Sequence, residues 1–359
     1  MSDTLRAVVI GCGAGGEGRA GAHSIGYMHG GAYQRSNRVE LVAAADINET
    51  NAAHFAEHFG FERTYTDFRE MLDQERPDLV SASVWPPLHP EMVIAAAEAG
   101  ARGVWCEKPM ALSLGDVDRM MDACDRNGTR LVVNHQRRYL PQFQEARRLI
   151  AEGDIGDVLT IHAGIAEWDL LSWGTHWIDM YRFLLGERRC EWVVAQVDAR
   201  SGTRKYGHVV EDHTLACFAF EGGPHAFLET GRVVPNAPAI RIAGSDGIID
   251  ILDGSGGERE HKLRYLSSRM EGWVVPELTE SGHSFDAATD QLLADLIGWI
   301  TGGPEPAVSG RGARATTEMM LACYESARQG SIIDLPLGAM DFPLEELVAR
   351  AQSNQRIVR

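Results

Sequence analysis

Cysteine is sparse in this chain and follows no ligand spacing. The six cysteines, Cys12, Cys106, Cys124, Cys190, Cys217 and Cys323, include no C-x-x-C pair. That excludes a disulfide frame and a cysteine zinc site, and reads as small buried hydrophobes in a reducing compartment. No H-E-x-x-H occurs. His208 and His213 flank Glu211-Asp212, the nearest thing to a ligand cluster, and no metal is expected there. Positive charge is in deficit: 34 Lys and Arg against 51 Asp and Glu give a formal charge of −17. A chain so acidic lacks the basic patches that bind nucleic acid or an anionic membrane surface. No apolar run approaches the roughly 20 residues that span a bilayer. Met1-Ser2-Asp3-Thr4 has neither a basic region nor an apolar core, so no signal peptide is expected and the cytoplasm is the expected compartment. Internal repeats and low-complexity tracts are also missing.

What is present is a two-domain α/β pattern. A length of 359 residues exceeds one typical domain core. The first third alternates strands and helices. Arg6–Ile10, Val39–Ala45, Asp78–Trp85, Gly103–Cys106 and Leu131–Asn134 read as strands, with helices over Glu91–Ala99 and Gly115–Arg126. Such alternation builds a doubly wound parallel sheet with right-handed crossovers. After about Asn134–Tyr139 the pattern changes. Helices Gln142–Ala151 and Thr175–Leu185 precede a strand-rich stretch, and Glu221-Gly222-Gly223 marks a turn between adjacent antiparallel strands. Helices Ala287–Ile300 and Arg314–Arg328 close this half. The expected division is 1–134 for a nucleotide-binding domain and 135–359 for a substrate-binding and oligomerisation domain of α+β type.

The nucleotide signal follows the first strand. Gly11-Cys12-Gly13-Ala14-Gly15-Gly16 satisfies G-x-G-x-x-G, whose glycines allow a tight turn and let a pyrophosphate approach the N–H groups of a helix start. The acidic residue of such a fold is expected about 20 residues beyond the last glycine. Asp46 meets that spacing from Gly26 rather than from Gly16. The simplest account is an insertion in the turn, with Gly26 serving as the third glycine. Gly11 and Gly13 hold under either register. The inserted stretch Glu17–Ile25, rich in small residues, is expected to become ordered on cofactor binding. Asp46 ends the second strand, where a carboxylate accepts from ribose hydroxyls and repels a 2′-phosphate, so NAD is expected over NADP. A helix N-cap is the competing reading of Asp46.

Glu107-Lys108-Pro109 closes the buried strand Gly103–Cys106. Charged side chains at a strand's carboxyl end lie where open α/β sheets bind ligands, and Pro109 disfavours helical backbone at Lys108. A surface salt bridge before a turn is the alternative. Trp85, Pro86 and His89 follow another strand end and are expected, with Glu107, to touch the cofactor. Gln136 and Arg137 follow the last parallel strand and are expected to face substrate. Arg137 and Arg138 also suit ion pairs with acidic side chains. Trp168 and Trp173 flank His176, and aromatic faces suit the C–H faces of sugars.

Taken together these residues resemble the glucose-fructose oxidoreductase, inositol dehydrogenase and MocA family over nearly the whole chain. The likeness rests on Gly11-Cys12-Gly13, Gly26-Tyr27-Met28-His29, Pro86-Pro87-Leu88-His89, Cys106-Glu107-Lys108-Pro109, Gln136-Arg137-Arg138-Tyr139, Gly153-Asp154-Ile155-Gly156-Asp157 and Gly174-Thr175-His176-Trp177-Ile178-Asp179. The resemblance implies a Rossmann domain followed by an α/β domain with an open, mainly antiparallel sheet, which commonly forms the interface of a homodimer or homotetramer. It implies hydride transfer between nicotinamide and a carbinol carbon of a sugar, glycoside or cyclitol. Lys108 would stabilise the developing alkoxide, and His176 would accept or donate the proton. Many relatives carry Asp-x-x-x-His here, whereas this chain has Ser172 four residues before His176. Serine can orient a hydroxyl but is no base at neutral pH. Glu167 and Asp169 are candidate replacements, and Asp179 could orient the imidazole. Two other functions compete: a glycosidase that retains NAD and works by oxidation and elimination, and a non-catalytic sensor of nucleotide and sugar. A sensor has no chemical need of both Lys108 and His176.

Overall fold

The computed structural model describes residues 4–13, 25–231, 238–252, 262–278, 285–338 and 341–357. The chain separates into two compact units: Met1–Ala111 with Gly115–Gln136 and Asp286–Arg314, and Leu112–Leu114 with Arg137–Phe285 and Ala315–Arg359.

The first unit contains β1 (Leu5–Ile10), α1 (Ile25–Arg35), β2 (Val39–Ala45), α2 (Glu49–Phe59), β3 (Arg63–Tyr65), α3 (Phe68–Glu75), β4 (Leu79–Ala82), α4 (His89–Glu98), β5 (Gly103–Cys106), α5 (Leu114–Asn127) and β6 (Arg130–Val133). The strands pair in the order β3-β2-β1-β4-β5-β6, and every pairing is parallel. Every residue of β4 and β5 is buried, as a sheet with both faces covered requires. The order reverses between β1 and β4, which opens a crevice at the carboxyl ends of these strands. The sequence reading leaves 47–77 undivided. There β3 has only three residues, none of them buried, too few to carry an alternation.

The second unit contains α6 (Pro141–Ala151), β7 (Val158–Ala166), α7 (Thr175–Leu184), β8 (Cys190–Asp198), β9 (Arg204–Lys205), β10 (His208–Val209), β11 (His213–Phe220), β12 (His225–Gly231), β13 (Ile240–Gly244), β14 (Gly247–Ile251) and β15 (Leu263–Ser267). Its sheet has eight strands in the order β15-β14-β13-β7-β12-β11-β8-β16, where β16 is Ile333–Asp334. Among the described strands only β12 and β7 pair in parallel. The Glu221-Gly222-Gly223 turn joins β11 to β12 as expected, with positive φ at both glycines. Ile161, Ala163, Phe218, Ala226, Leu228, Ile240 and Ile242 are buried. The α7 residue Tyr181 tilts against Phe218 at 5.8 Å and donates to the Phe227 carbonyl at 2.9 Å.

One expectation needs correction. The division at 134/135 assigns the late helices to the second domain, but Asp286–Arg314 groups with the first unit. This segment holds most of α8 (Phe285–Ile300) and the start of α9 (Gly310–Gln329); α10 is Pro343–Ile357. The reason is side-chain packing. Gly103 of β5 leaves space that Leu296 and Ile300 fill, since a Cβ there would lie 3.1 and 3.3 Å from their side chains. Arg35 of α1 pairs with Asp290 at 2.7 Å. An apolar helical stripe announces burial but does not name the sheet that buries it.

Candidate active site

The turn after β1 is shaped by three glycines. Gly11 and Gly13 have φ of +91° and +70°, values that side chains with a Cβ resist. A Cβ on Gly11 would also lie 2.6 Å from the Ser83 carbonyl oxygen. One on Gly26, the second residue of α1, would lie 2.5 Å from the Gly11 carbonyl oxygen. Gly26 therefore allows the close helix–strand packing that the third glycine of the fingerprint supplies. Gly16 and Glu17–Ser24, including most of the segment expected to order with cofactor, lie outside the described residues; Ile25 opens α1.

Asp46 organises the same turn. Its Oδ2 accepts from the backbone N–H groups of Cys12 (2.9 Å) and Gly13 (3.3 Å), and its Oδ1 accepts from that of Asn48 (2.9 Å). Asn48, not Asp46, caps α2, through Thr50 N–H. Around this carboxylate lies a cleft of about 490 Å³, lined by Gly11, Gly13, Phe68, Trp85, Leu88 and Met92 among others. Trp85 is 58% exposed, and Ile47, directly after Asp46, is 96% exposed. These residues fit NAD. The glycines clear the approach of a pyrophosphate, the carboxylate suits ribose hydroxyls, and position 47 offers no cation for a 2′-phosphate.

At the end of β5, Glu107 is buried within a polar network. Its Oε1 bonds to His29 Nε2 at 3.0 Å and accepts from Asn134 Nδ2. His29 Nδ1 meets Ser81 Oγ at 2.9 Å, and the imidazole stacks on Trp105 at 3.8 Å. Burial pushes the Glu107 carboxyl up, but the hydrogen bond and charge of His29, with Lys108 and Asn134, hold it below the usual range. Glu107 thus ties α1, β4 and the end of β6 to the strand end that carries Lys108. His89 and Pro86 are buried as well. The His89 ring nitrogens lie 3.0 Å from the carbonyl oxygens of Val84 and Pro109, and burial lowers its pKa. His89 therefore braces the backbone on either side of the cleft wall. Gln136 is buried, and its Oε1 has no hydrogen-bond partner among the described residues.

In the second unit, His176 follows a π-helical turn, Leu170–Gly174. Single π turns inside helices frequently mark functional sites. The N–H groups of Trp173 and Gly174 both donate to the Asp169 carbonyl at 3.1 Å. The Asp169 carboxylate accepts from Ser172 N–H at 2.7 Å and pairs with Lys205 Nζ at 3.4 Å. Ser172 and His176 are buried. Trp173 stands edge-on to His176 at 6.1 Å and tilts against Trp168 at 5.5 Å. The Lys205 ammonium lies 5.1 Å over Trp168. The two arginines separate in role. The Arg137 guanidinium packs over Trp173, Trp177 and Phe285, at 4.5, 5.0 and 5.5 Å. Arg138 forms a buried two-pronged pair with Asp179, at 2.6 and 2.7 Å, and pairs also with Glu187.

Behind the π turn lies Glu211. Its Oε1 accepts from Leu170 N–H (2.5 Å) and the Thr214 hydroxyl (3.2 Å), and its Oε2 from the Tyr324 hydroxyl (2.8 Å). Burial, with Asp169 nearby, raises its carboxyl to about 7. His208 and His213 turn to other partners, the Tyr206 carbonyl and Glu229. Among the described residues no group of three or more His, Cys, Asp or Glu could hold a metal ion. No helix among them is long and apolar enough to cross a membrane. Sequence reasoning missed the His29 and Asn134 support of Glu107, Lys205, and the Glu211–Tyr324 pair. His29 stands in a quoted motif, whereas Tyr324 is 113 residues from Glu211 and gives no local signal.

Comparison with known proteins places both halves of the chain in one family. Residues 5–135 match the model of an oxidoreductase family with an NAD-binding Rossmann fold, and residues 143–250 match the GFO/IDH/MocA C-terminal domain. The chain is 25% identical to D-apiose dehydrogenase of Paraburkholderia graminis over 351 residues, covering 92% of this chain and 90% of that protein. It is 29% identical to inositol 2-dehydrogenase 3 of Saccharopolyspora erythraea over 321 residues, covering 85% and 89%. A solved levoglucosan dehydrogenase in complex with NADH shares the fold, with a TM-score of 0.79, 23% identity, and coverage of 94% of this chain and all of that one.

Proposed function

The chain belongs to the GFO/IDH/MocA oxidoreductase family, and from that premise we propose that it is an NAD-dependent dehydrogenase of a sugar, glycoside or cyclitol hydroxyl. The observation that carries this reading is the glycine turn held by Asp46 beside the cleft at the strand ends. Bound NAD supplies the hydride acceptor. Gly11, Gly13 and Gly26 admit its pyrophosphate, Asp46 takes the adenosine ribose, and Trp85 and Leu88 cover the apolar part. Lys108 donates a hydrogen bond to the reacting hydroxyl oxygen and stabilises its negative charge as the proton leaves. His176 accepts that proton, and an imidazole's ordinary pKa suits this near neutral pH. Ser172, Gln136 and Arg137 orient the substrate, with Trp168 offering an aromatic face to it. Copies of the chain associate through the open face of the eight-stranded sheet. A hollow of about 820 Å³, lined by His162, Val194, Leu215, Phe227 and Arg241 among others, lies there, and the apolar Leu215 is exposed on it. A monomeric mass by light scattering would contradict that association.

The test is NADH formation with NAD and a panel of inositols, D-apiose, levoglucosan and D-glucosides. One or more should be oxidised, and Lys108→Ala should lower kcat roughly 10²–10³-fold, as loss of one oxyanion donor does. Turnover by Lys108→Ala equal to that of the parent protein would refute the role of Lys108. A glycoside cleaved without added NAD or net reduction would refute the dehydrogenase reading.

A further inference from the structure

We propose that Glu211 is a positioning residue that clamps the π-helical turn Leu170–Gly174 and so fixes Ser172 and His176. The inference rests on the reading of His176 as proton acceptor. Leu170 is the first residue of the turn, so its N–H has no partner within it. That residue is fully buried, and water cannot substitute for an acceptor. Glu211 Oε1 fills the place at 2.5 Å. The other oxygen of the carboxylate is fixed by Tyr324 of α9, and Thr214 of β11 donates to the first. Three separate parts of the second unit therefore meet on one carboxyl group. Asp169 holds the same turn from its own end, through Ser172 N–H, and is in turn paired with Lys205.

The clamp matters because of what a π turn is. It is one residue wider than an α turn and persists only where its surroundings impose it. Relaxation by one residue turns the side chains that follow by about 100°, since an α-helix has 3.6 residues per turn. His176 comes two residues after the π turn ends. A loosened turn thus misdirects the imidazole without altering it.

Hydrogen exchange of the full-length protein, followed by mass spectrometry, tests this without a substrate. In Glu211→Ala, peptides covering Leu170–Trp177 should exchange about tenfold faster or more, while those of β1 to β6 stay unchanged. Glu211→Gln keeps an oxygen for Leu170 N–H and should restore protection. Tyr324→Phe should give a smaller rise at the same peptides, and it serves should the alanine protein fail to fold. With NAD and whichever of myo-inositol or methyl β-D-glucoside is oxidised, Glu211→Ala should lower kcat and leave the KM for NAD unchanged. Unchanged exchange at Leu170–Trp177 in both Glu211→Ala and Tyr324→Phe would overturn the clamp, and so would equal exchange in the alanine and glutamine proteins. Exchange decides the clamp whatever happens to activity. A fully active His176→Ala protein would overturn only the reading of His176.

Discussion

Replacing Glu211 with glutamine should make the protein more stable at pH 8 and no more stable at pH 5. The Glu211 carboxyl titrates at about 7 rather than at its ordinary 4.5, because it is buried and Asp169 lies nearby. The folded protein therefore holds this proton more tightly than the unfolded chain does. Its contribution to stability is fully present below about pH 4.5 and is lost as pH rises through about 7. Each pH unit in that window is worth about 1.4 kcal/mol, which sets a ceiling near 3 kcal/mol. Glutamine carries no charge at any pH and keeps an acceptor for Leu170 N–H. It gives up one acceptor oxygen, the one that takes the Tyr324 hydroxyl, at a cost of about 1 kcal/mol. The variant should thus be about 1 kcal/mol less stable than the parent at pH 5 and roughly 1–2 kcal/mol more stable at pH 8. Urea unfolding of both proteins across this range measures the difference, and other titrating groups cancel between them. A stability difference that stays constant from pH 5 to pH 8 would refute the assignment.

Two further outcomes concern the cofactor cleft. Gly26→Ala places a Cβ against the Gly11 carbonyl, a backbone atom that cannot swing aside. NAD affinity should fall at least about tenfold and stability by about 1–3 kcal/mol, and calorimetric titration at the parent's affinity would count against Gly26 as the third glycine. Asp46→Ala removes the acceptor shared by Cys12 and Gly13 together with the charge that repels a 2′-phosphate. The ratio of NAD to NADP affinity should drop about tenfold or more, and an unchanged ratio would show that Asp46 only shapes the turn.

The parallel half was legible because its signals are local. Val39–Ala45, apolar except for Glu40, and the continuous apolar run Gly103–Cys106 return in the structure with the same bounds. The choice of Gly26 over Gly16 followed from the distance to Asp46, and the approach of Gly26 to the Gly11 carbonyl supplies its physical reason. What stayed hidden depends on contacts between distant residues. Nothing in the spacing of α8 says that Leu296 and Ile300 fill the space beside Gly103. His208, Glu211 and His213 sit close enough in sequence to suggest ligands, yet in the fold each meets a different partner. The π turn itself was invisible, because Leu170–Gly174 has no composition that distinguishes an i+5 bond from an ordinary helix start. It depends on Asp169 and Glu211, and the second comes from 41 residues away.

That turn also gives a physical reason for serine at 172. The position is buried, and its N–H is already held by the Asp169 carboxylate. Glu211 lies behind the same turn, and burial, with the charge of Asp169 nearby, raises its carboxyl. A third carboxylate at 172 would add another charge to two that already oppose each other in a desolvated region, where like charges disfavour ionisation. Lys205 is the cation paired with this group, and it pairs with Asp169. A hydroxyl avoids the conflict while keeping a donor and acceptor four residues before His176. Of the two candidate replacements for the missing carboxylate, Glu167 is exposed and has a positive φ, while Asp169 is committed to the turn and to Lys205. The carboxylates of this region therefore hold the backbone that precedes His176, and in the proposed mechanism the proton chemistry falls to the imidazole itself.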